Sequence, residues 1–412
     1  MVAKLPLSIL NWSRSVAGEP DIALINRYFE QDPTNTENQA ALIQRPALQK
    51  WKTLGTSPVR AVYSEPGAFG GALFAVAGAT VYKIATDETV SSIGTIGTST
   101  GDVSMAATET YLRIADGSAL YSYTENDYAR GTLTVSGTIS ASETVILGTV
   151  HYKFATDVTP GADGSSTSPW LVLIGGTNTD TLQNLYDAIG NTGTAGTAYS
   201  LALSANPDIT PSSVTATVLK VRATTPGTSG NSLATTETMA NGAFGGSTLS
   251  GGGGTSFGTV TVPDSLGIRW VAVILSFTLC LVSPGSDPTK NGRFYWIWPG
   301  EDTIQNLDFA TAERSPDSAS AIIPLGDQFW IPGDKSVEVW NPSGNGDAPF
   351  ERQLGRLFER GAWPGTVVSL GDAMMLVDSA GDAWEVTDAP QKISTPGVSQ
   401  IIREAINAQR AA

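Results

Sequence analysis

Between residues 316 and 396 the chain is cut into short apolar runs by Gly-Asp, Pro-Gly-Asp, Gly-Asn-Gly and Ala-Gly-Asp turns. The runs are 321–325, 328–331, 336–340, 366–370, 373–377 and 383–386. They are strand-length, and the turns between them suit antiparallel neighbours. A single hairpin leaves an apolar face in water, so such a meander must stack as a sandwich, a barrel or propeller blades. The 44 glycines, 23 prolines and only 15% charged residues agree with a turn-rich β protein rather than one of long salt-bridged helices.

The same plan of strand, turn and strand occurs upstream. Residues 74–82 and 111–121 share it, and 328–339 and 373–386 repeat it loosely. Four such units predict radial repetition of the propeller kind. The apolar run 268–282 contains Arg269, Ser276 and Thr278 and is shorter than the roughly twenty residues that cross a bilayer. It reads as buried strands. Trp296 and Trp298 alternate with Tyr295 and Ile297, which predicts a strand covered on both faces. The N-terminal residues lack the sustained apolar core and cleavage site of an export signal.

Composition shifts to Thr, Ser, Gly and Ala between residues 130 and 254, marking an inserted small α+β domain. Leu182, Leu185 and Ile189 recur at helical spacing, with Thr179 or Asp180 expected to cap the helix and Gly190 to stop it. The glycines 251–254 read as a flexible hinge returning the chain to the body. The predicted organisation is therefore an extended arm at 1–54, a propeller-like antiparallel body at 55–129 and 255–395, the insert at 130–254, and a C-terminal helix at 396–412. On that helix Val398, Ile401, Ile402, Ala405 and Ile406 share one face behind Pro396.

Chemistry-bearing residues are few. One cysteine, Cys280, and one histidine, His151, exclude an intrachain disulfide and a Cys/His metal cluster, and His151 in a strand pattern reads as a polar surface residue. No nucleotide-binding glycine loop is present. No catalytic, cofactor or metal residue is assigned. The formal charge of -15 opposes tight DNA binding. Asp372, Asp378, Asp382 and Glu385 could flank a cleft as a glycosidase pair, but aspartates at hairpin turns commonly cap the backbone. Arg352, Arg356 and Arg360 recur every fourth residue, which on a helix would make a basic stripe. The interleaved Glu351 and Glu359 favour a structural or subunit-contact role over DNA readout. Asp327, Asp334, Asp372 and Asp382 lie in turns that could ring one rim of a channel.

Several blocks resemble the tail-nozzle, or packaged-DNA stabilisation, proteins of short-tailed bacteriophages. They are INRYFEQ and QRPAL near the N-terminus, LDFATAERSPDSASAI (307–322), KSVEVWNPSGNGDAPFER (335–352) and QKISTPGV (391–398), in the family's order. The insert resembles a module recurrent in phage virion proteins through DTLQNLYDAI and TPGTSGNSLATTET. The resemblance implies a structural virion protein of the tail, made in the host cytoplasm and not an enzyme. It implies a homohexameric tube that extends the DNA ejection channel below portal and adaptor. Its partners would be the head-to-tail connector, tail fibre, tailspike or needle proteins, and passing double-stranded DNA, with no membrane segment and no cofactor. Ala47 stands where the family usually has Gly. The family pattern also continues into strands beyond QKISTP, so a shorter tube, or a propeller completed by another chain, is expected. The alternatives are a glycan-degrading tail enzyme or an adhesin that binds glycan through the insert.

Overall fold

The computed structural model describes residues 49–285, 287–312, 318–345, 348–371, 373–387 and 389–411. Upstream it describes the backbone of one hairpin, Arg27–Gln31 against Ala40–Gln44. Residues 1–26, 32–39 and 45–48 of the expected arm and Asp372 lie outside the described residues, and Arg356 is described by its backbone alone.

The chain is mainly β with a propeller-like body, as the short runs and turns predict. Five four-stranded antiparallel sheets follow one another. Blade 1 comprises Val59–Tyr63, Leu73–Ala77, Thr80–Ile84 and Val90–Thr95. Blade 2 has Ser104–Ala107, Leu112–Ala115, Leu120–Thr124 and Ser256–Val260. Blade 3 has Ile268–Ile274, Phe277–Val282, Arg293–Ile297 and Phe309–Thr311. Blade 4 has Ile323–Leu325, Gln328–Pro332, Val337–Pro342 and Phe350–Phe358. Blade 5 has Val368–Leu370, Ala373–Val377, Ala383–Val386 and Pro390–Lys392. The first strand of each blade is innermost and packs against the first strand of the next, from blade 1 to blade 5.

Because side chains alternate across a strand, a blade between two others must be apolar on both faces. Phe74 and Val76 of blade 1 meet Leu112, Ile114 and Tyr123 of blade 2. Ala115 and Leu120, from the opposite face of blade 2, meet Val271, Cys280 and Tyr295 of blade 3. Leu279, Leu281, Phe294 and Trp296 then meet Phe329, Trp340 and Phe350 of blade 4, with Phe294 and Trp340 edge to face at 5.0 Å. Trp330, Val337 and Val339 meet Met374, Leu376 and Val386 of blade 5. Among the described residues no fifth apolar cluster joins blade 5 back to blade 1. The innermost strands of these end blades leave Val59 and Val62 53% and 63% exposed, and Val368 and Leu370 54% and 63%.

The insert interrupts blade 2 between its third and fourth strands, and pairing of Thr124 with Ser256 restores the sheet. It consists of two four-stranded sheets closed around one core with the helix Asn178–Gly190, which buries Leu182, Leu185 and Ile189. One sheet orders Ile209–Val214, Val218–Ala223, Arg130–Val135 and Gly242–Phe244. The other includes the single parallel pair among the described ladders, Val150–Ala155 with Trp170–Leu173. Two helix-end expectations are corrected. Thr177 is the N-cap, in a capping box with Asp180 three residues on, so neither Thr179 nor Asp180 occupies the cap. The left-handed stop is Asn191 (φ 52), whose short amide side chain tolerates that conformation, and Gly190 is the last helical residue. The glycines 251–254 are also held in place rather than forming an open hinge. Asn231 bonds both the amide and the carbonyl of Gly252, and the Gly253 amide reaches the Asp127 carbonyl at 2.8 Å.

The C-terminal helix Pro396–Ala411 lies over the second turn of blade 5. Arg403 Nε donates to the Ala380 carbonyl at 2.9 Å, and Gly381 (φ 86) lies so close beneath that a Cβ would approach the Arg403 backbone nitrogen to 2.9 Å. Ile406 is buried, but Val398 and Ile401 stay exposed, so the predicted apolar face is only partly covered. Thr177→Ala removes the reciprocal cap and should lower insert stability by about 1 kcal/mol in urea unfolding followed by tryptophan fluorescence at Trp170.

Candidate functional site

The innermost strands all start at one end of the body, and the turns between second and third strands lie at that end too. There they surround a cavity of about 460 Å³ lined by Arg60, Asp102, Asp116, Arg269, Ser320, Gly365 and Val367, among others. Arg60 begins blade 1. Its guanidinium makes five hydrogen bonds, Nε to the Gly101 carbonyl, Nη1 to the carbonyls of Gly78 and Thr98, and Nη2 to Thr98 Oγ1 and the Thr100 carbonyl, at 2.6–2.9 Å. That matches the five N–H groups of an arginine. Asp116 closes the second turn of blade 2, accepting from the amides of Ser118 and Ala119 and, through its other oxygen, from Thr98. Burial alone would raise its carboxyl, but these donors hold it below the usual range. Arg269 donates to the Ala319 carbonyl at 3.2 Å. Burial pushes its value down, against the pull of Asp102 and Asp334. The mouth thus lines up two arginines, Arg60 and Arg269, against two aspartates, Asp102 and Asp116.

The residues singled out in the sequence do not form one collar. Arg352, Arg356 and Arg360 are not on a helix: the first two lie in the outermost strand Phe350–Phe358, and Arg360 follows it. Arg352 lies 4.0 Å from the buried Glu338. Arg360 lies 3.6 Å from Asp378 and stacks 4.1 Å above the Trp384 ring. Asp327 sits in the first turn of blade 4 and Asp334 in its second, so antiparallel geometry puts them at opposite ends. Asp382 belongs to a second turn, like Asp334. The acids therefore do not ring one rim. Asp378 is buried. Its Oδ1 accepts from the amides of Ala380 and Asp382, and its Oδ2 from Trp384 Nε1 at 2.8 Å. Asp382 bonds Lys392 at 2.8 Å, which holds its carboxyl low. The Asp378 carboxylate serves the turn, the Asp382 carboxylate pairs with Lys392 of the fourth strand, and Glu385 lies opposite Met375 and Gln391 in the ladder. His151 is half-buried opposite Ile146 in the insert.

Sequence reasoning missed the ionic joint that fixes the insert to the body. Glu301, in the loop after Trp298, takes Arg130 on one oxygen at 3.1 Å and Arg222 on the other at 3.3 Å, both from strands of the insert. Arg130 also donates to Tyr111 at 2.9 Å and lies near Asp302 and Asp127. Burial alone would lower its value, but Asp302, Tyr111, Glu301 and Asp127 raise it. Arg113, fully buried between blades 2 and 3, donates to the Glu301 carbonyl at 2.7 Å and lies over the Tyr111 ring. Tyr111, Arg113 and Arg130 are separated from Glu301 by the whole insert, and Arg222 lies within it, so spacing gives no hint of the joint. Among the described residues no group of three or more potential metal-ligating side chains occurs, and no helix is long and apolar enough to cross a membrane.

Asp378→Ala removes three acceptor bonds and strands Arg360, and should destabilise the chain by about 3 kcal/mol, read by denaturant unfolding at Trp384. Asp116 has a lowered folded value, so its contribution is present above about pH 4 and is lost as pH falls through that folded value. Acid unfolding of Asp116→Asn should accordingly be shallower than that of the parent.

Solved structures show distant likeness at low overlap. They include the Dos1 propeller (12% identity, 90% of this chain and 74% of that chain, TM-score 0.31) and the Cps50 (Swd1) β-propeller domain of Myceliophteria thermophila (8%, 83% and 88%, 0.33). Hsv2 of Kluyveromyces lactis is a third (10%, 83% and 100%, 0.24). At these scores the propeller assignment rests on the five sheets themselves. No curated protein matches the chain. Residues 290–411 match the family model described as "Phage_stabilise: Bacteriophage P22 Gp10, beta-propeller", covering the end of blade 3, blades 4 and 5 and the final helix. This match supports a phage structural protein with a β-propeller, and it supports the phage tail and DNA-stabilisation family for the C-terminal part of the chain.

Proposed function

We propose that the chain is a structural component of a phage tail, a nozzle subunit that assembles into a closed homohexameric ring below the adaptor and extends the DNA channel. The carrying observation is the family match over residues 290–411. The charge arrangement agrees with a conduit that lets DNA slide. A wall that grips phosphate needs cationic groups free to replace counterions. Arg60 instead spends its N–H groups on four backbone carbonyls and the Thr98 hydroxyl, and Arg360 is stacked on Trp384 beside Asp378. The turn role of Asp378 and the pairing of Asp382 with Lys392 favour a non-catalytic reading over a glycosidase pair.

Native mass measurement of the purified chain, alone and with the adaptor, should give a six-subunit species. A chain that stays monomeric at tens of micromolar with adaptor present would overturn the ring. Replacing Arg352, Arg356 and Arg360 together by Gln should leave the packaged genome retained in assembled particles. Leakage from particles with intact rings would instead assign those arginines to a DNA-retaining collar.

A further inference from the structure

Blade 2 breaks the rule that a blade between two others is apolar on both faces. Part of its face toward blade 3 obeys it, with Ala106, Ala115, Leu120 and Val260 in the shared core. The rest of that face, on its two outer strands, carries Ser122, Thr124, Ser256 and Gly258, where Ser122 pairs with Gly258 and Thr124 with Ser256. These residues line a cavity of about 440 Å³. Its other walls are the blade 3 loop 302–306, between the third and fourth strands, and Asp127 with Lys220 of the insert. The hydroxyls of Ser122 and Ser256 and the Asn306 amide bond nothing among the described residues.

Gly258 forms a bare floor to this cleft. Every other described strand glycine has a structural reason. A Cβ on Gly94, Gly131 or Gly242 would come within 2.3, 2.7 and 2.8 Å of Phe257, Leu249 and Met239, and Gly355 has a φ of 87. Gly258 lies outside the left-handed region, and nothing stands within 4 Å of where its Cβ would be. The ladder runs unshifted from Ser256 to Val260, so there is no bulge. Glycine weakens a strand interior, and without a bulge, a bend or a close backbone it marks the approach of a ligand. The lining decides which ligand. Asp127 and Asp302 outnumber Lys220, and Arg130 is engaged by Glu301 and Tyr111, which disfavours a phosphate. Val260, Pro263 and Ile304 are the only aliphatic side chains, and Arg113 covers the Tyr111 ring, whereas apolar ligands need a mostly hydrophobic pocket. What remains are Ser, Thr, Asn and Gln groups that donate and accept, beside carboxylates that accept. That set complements a ligand of many hydroxyls whose C–H ring face rests on the peptide at Gly258. We propose that the cleft binds a neutral oligosaccharide. The proposal is independent of the nozzle reading.

Saturation-transfer NMR on the full chain tests it, with neutral oligosaccharides of gluco, galacto and manno configuration and adenosine monophosphate as the anionic comparison. Transfer to at least one oligosaccharide and none to the nucleotide is expected. Gly258→Val raises a side chain from the cleft floor and should weaken that binding at least about tenfold. Because the space above Gly258 is open, the denaturant midpoint of this variant should not fall below that of the parent. A lower midpoint would mean that packing requires the glycine, and the argument from the floor would fail. Ser122→Ala with Asn306→Ala leaves the floor bare but removes two bonding groups, and should weaken the same oligosaccharide. Absence of transfer to every oligosaccharide would overturn the proposal, as would transfer to the nucleotide alone. Oligosaccharide binding that survives both variants would place the sugar elsewhere and overturn it too.

Discussion

A sheet whose two faces are both apolar has no stable existence except between two others, and this constraint organises the body. Each interior blade contributes alternate residues to two different cores: Leu279 and Leu281 look one way and Cys280 and Val282 the other. Fully burying an aliphatic or aromatic side chain is worth roughly 1.5–3 kcal/mol, so the four inter-blade clusters dominate what holds the sheets in order. The first and last blades satisfy the requirement on one side only.

Strands were legible because their signals are local. Gln328–Pro332, Ala373–Val377 and Ala383–Val386 appear almost residue for residue where short apolar runs and Gly-Asp turns put them. The helix of the insert was legible too, but its ends shifted, because Thr177 with Asp180 makes a better reciprocal cap than a single residue and Asn191 can adopt the left-handed turn without being glycine. The third blade was not recognised as a repeat, since its run 268–282 is so uniformly apolar that the turn at Leu275 and Ser276 carries no glycine or proline to mark it. Side-chain destinations were the least legible. A spacing of four suggests a helical stripe for Arg352 and Arg356, yet both lie in a strand whose pairing shifts register between Arg352 and Leu357, and that depends on partners the local spacing does not show.

Charge in this molecule works mainly on its own backbone. Arg60 ties the linker between blades 1 and 2, Asp116 and Asp378 shape second turns in blades 2 and 5, and Glu301 holds two arginines of the insert. Breaking a buried pair costs more than the pair contributes, because the remaining charge stays in a poorly solvated place. The insert is therefore set at a defined attitude on blades 2 and 3 by groups that tolerate little rearrangement.

The splice within blade 2 has a consequence for the order of events as the chain is made. The outermost strand of that sheet, Ser256–Val260, must pair with Leu120–Thr124 across the entire insert. In a floppy chain that closure would carry the entropy of a very long loop. An insert with its own core, folding as a unit while still near the ribosome, draws the two ends together at the Asn126 and Gly254 bridge and removes most of that penalty. The module thereby acts as an internal clasp in biosynthesis: until it has formed, blade 2 is a three-stranded sheet with a bare edge, open to pairing with the wrong strand.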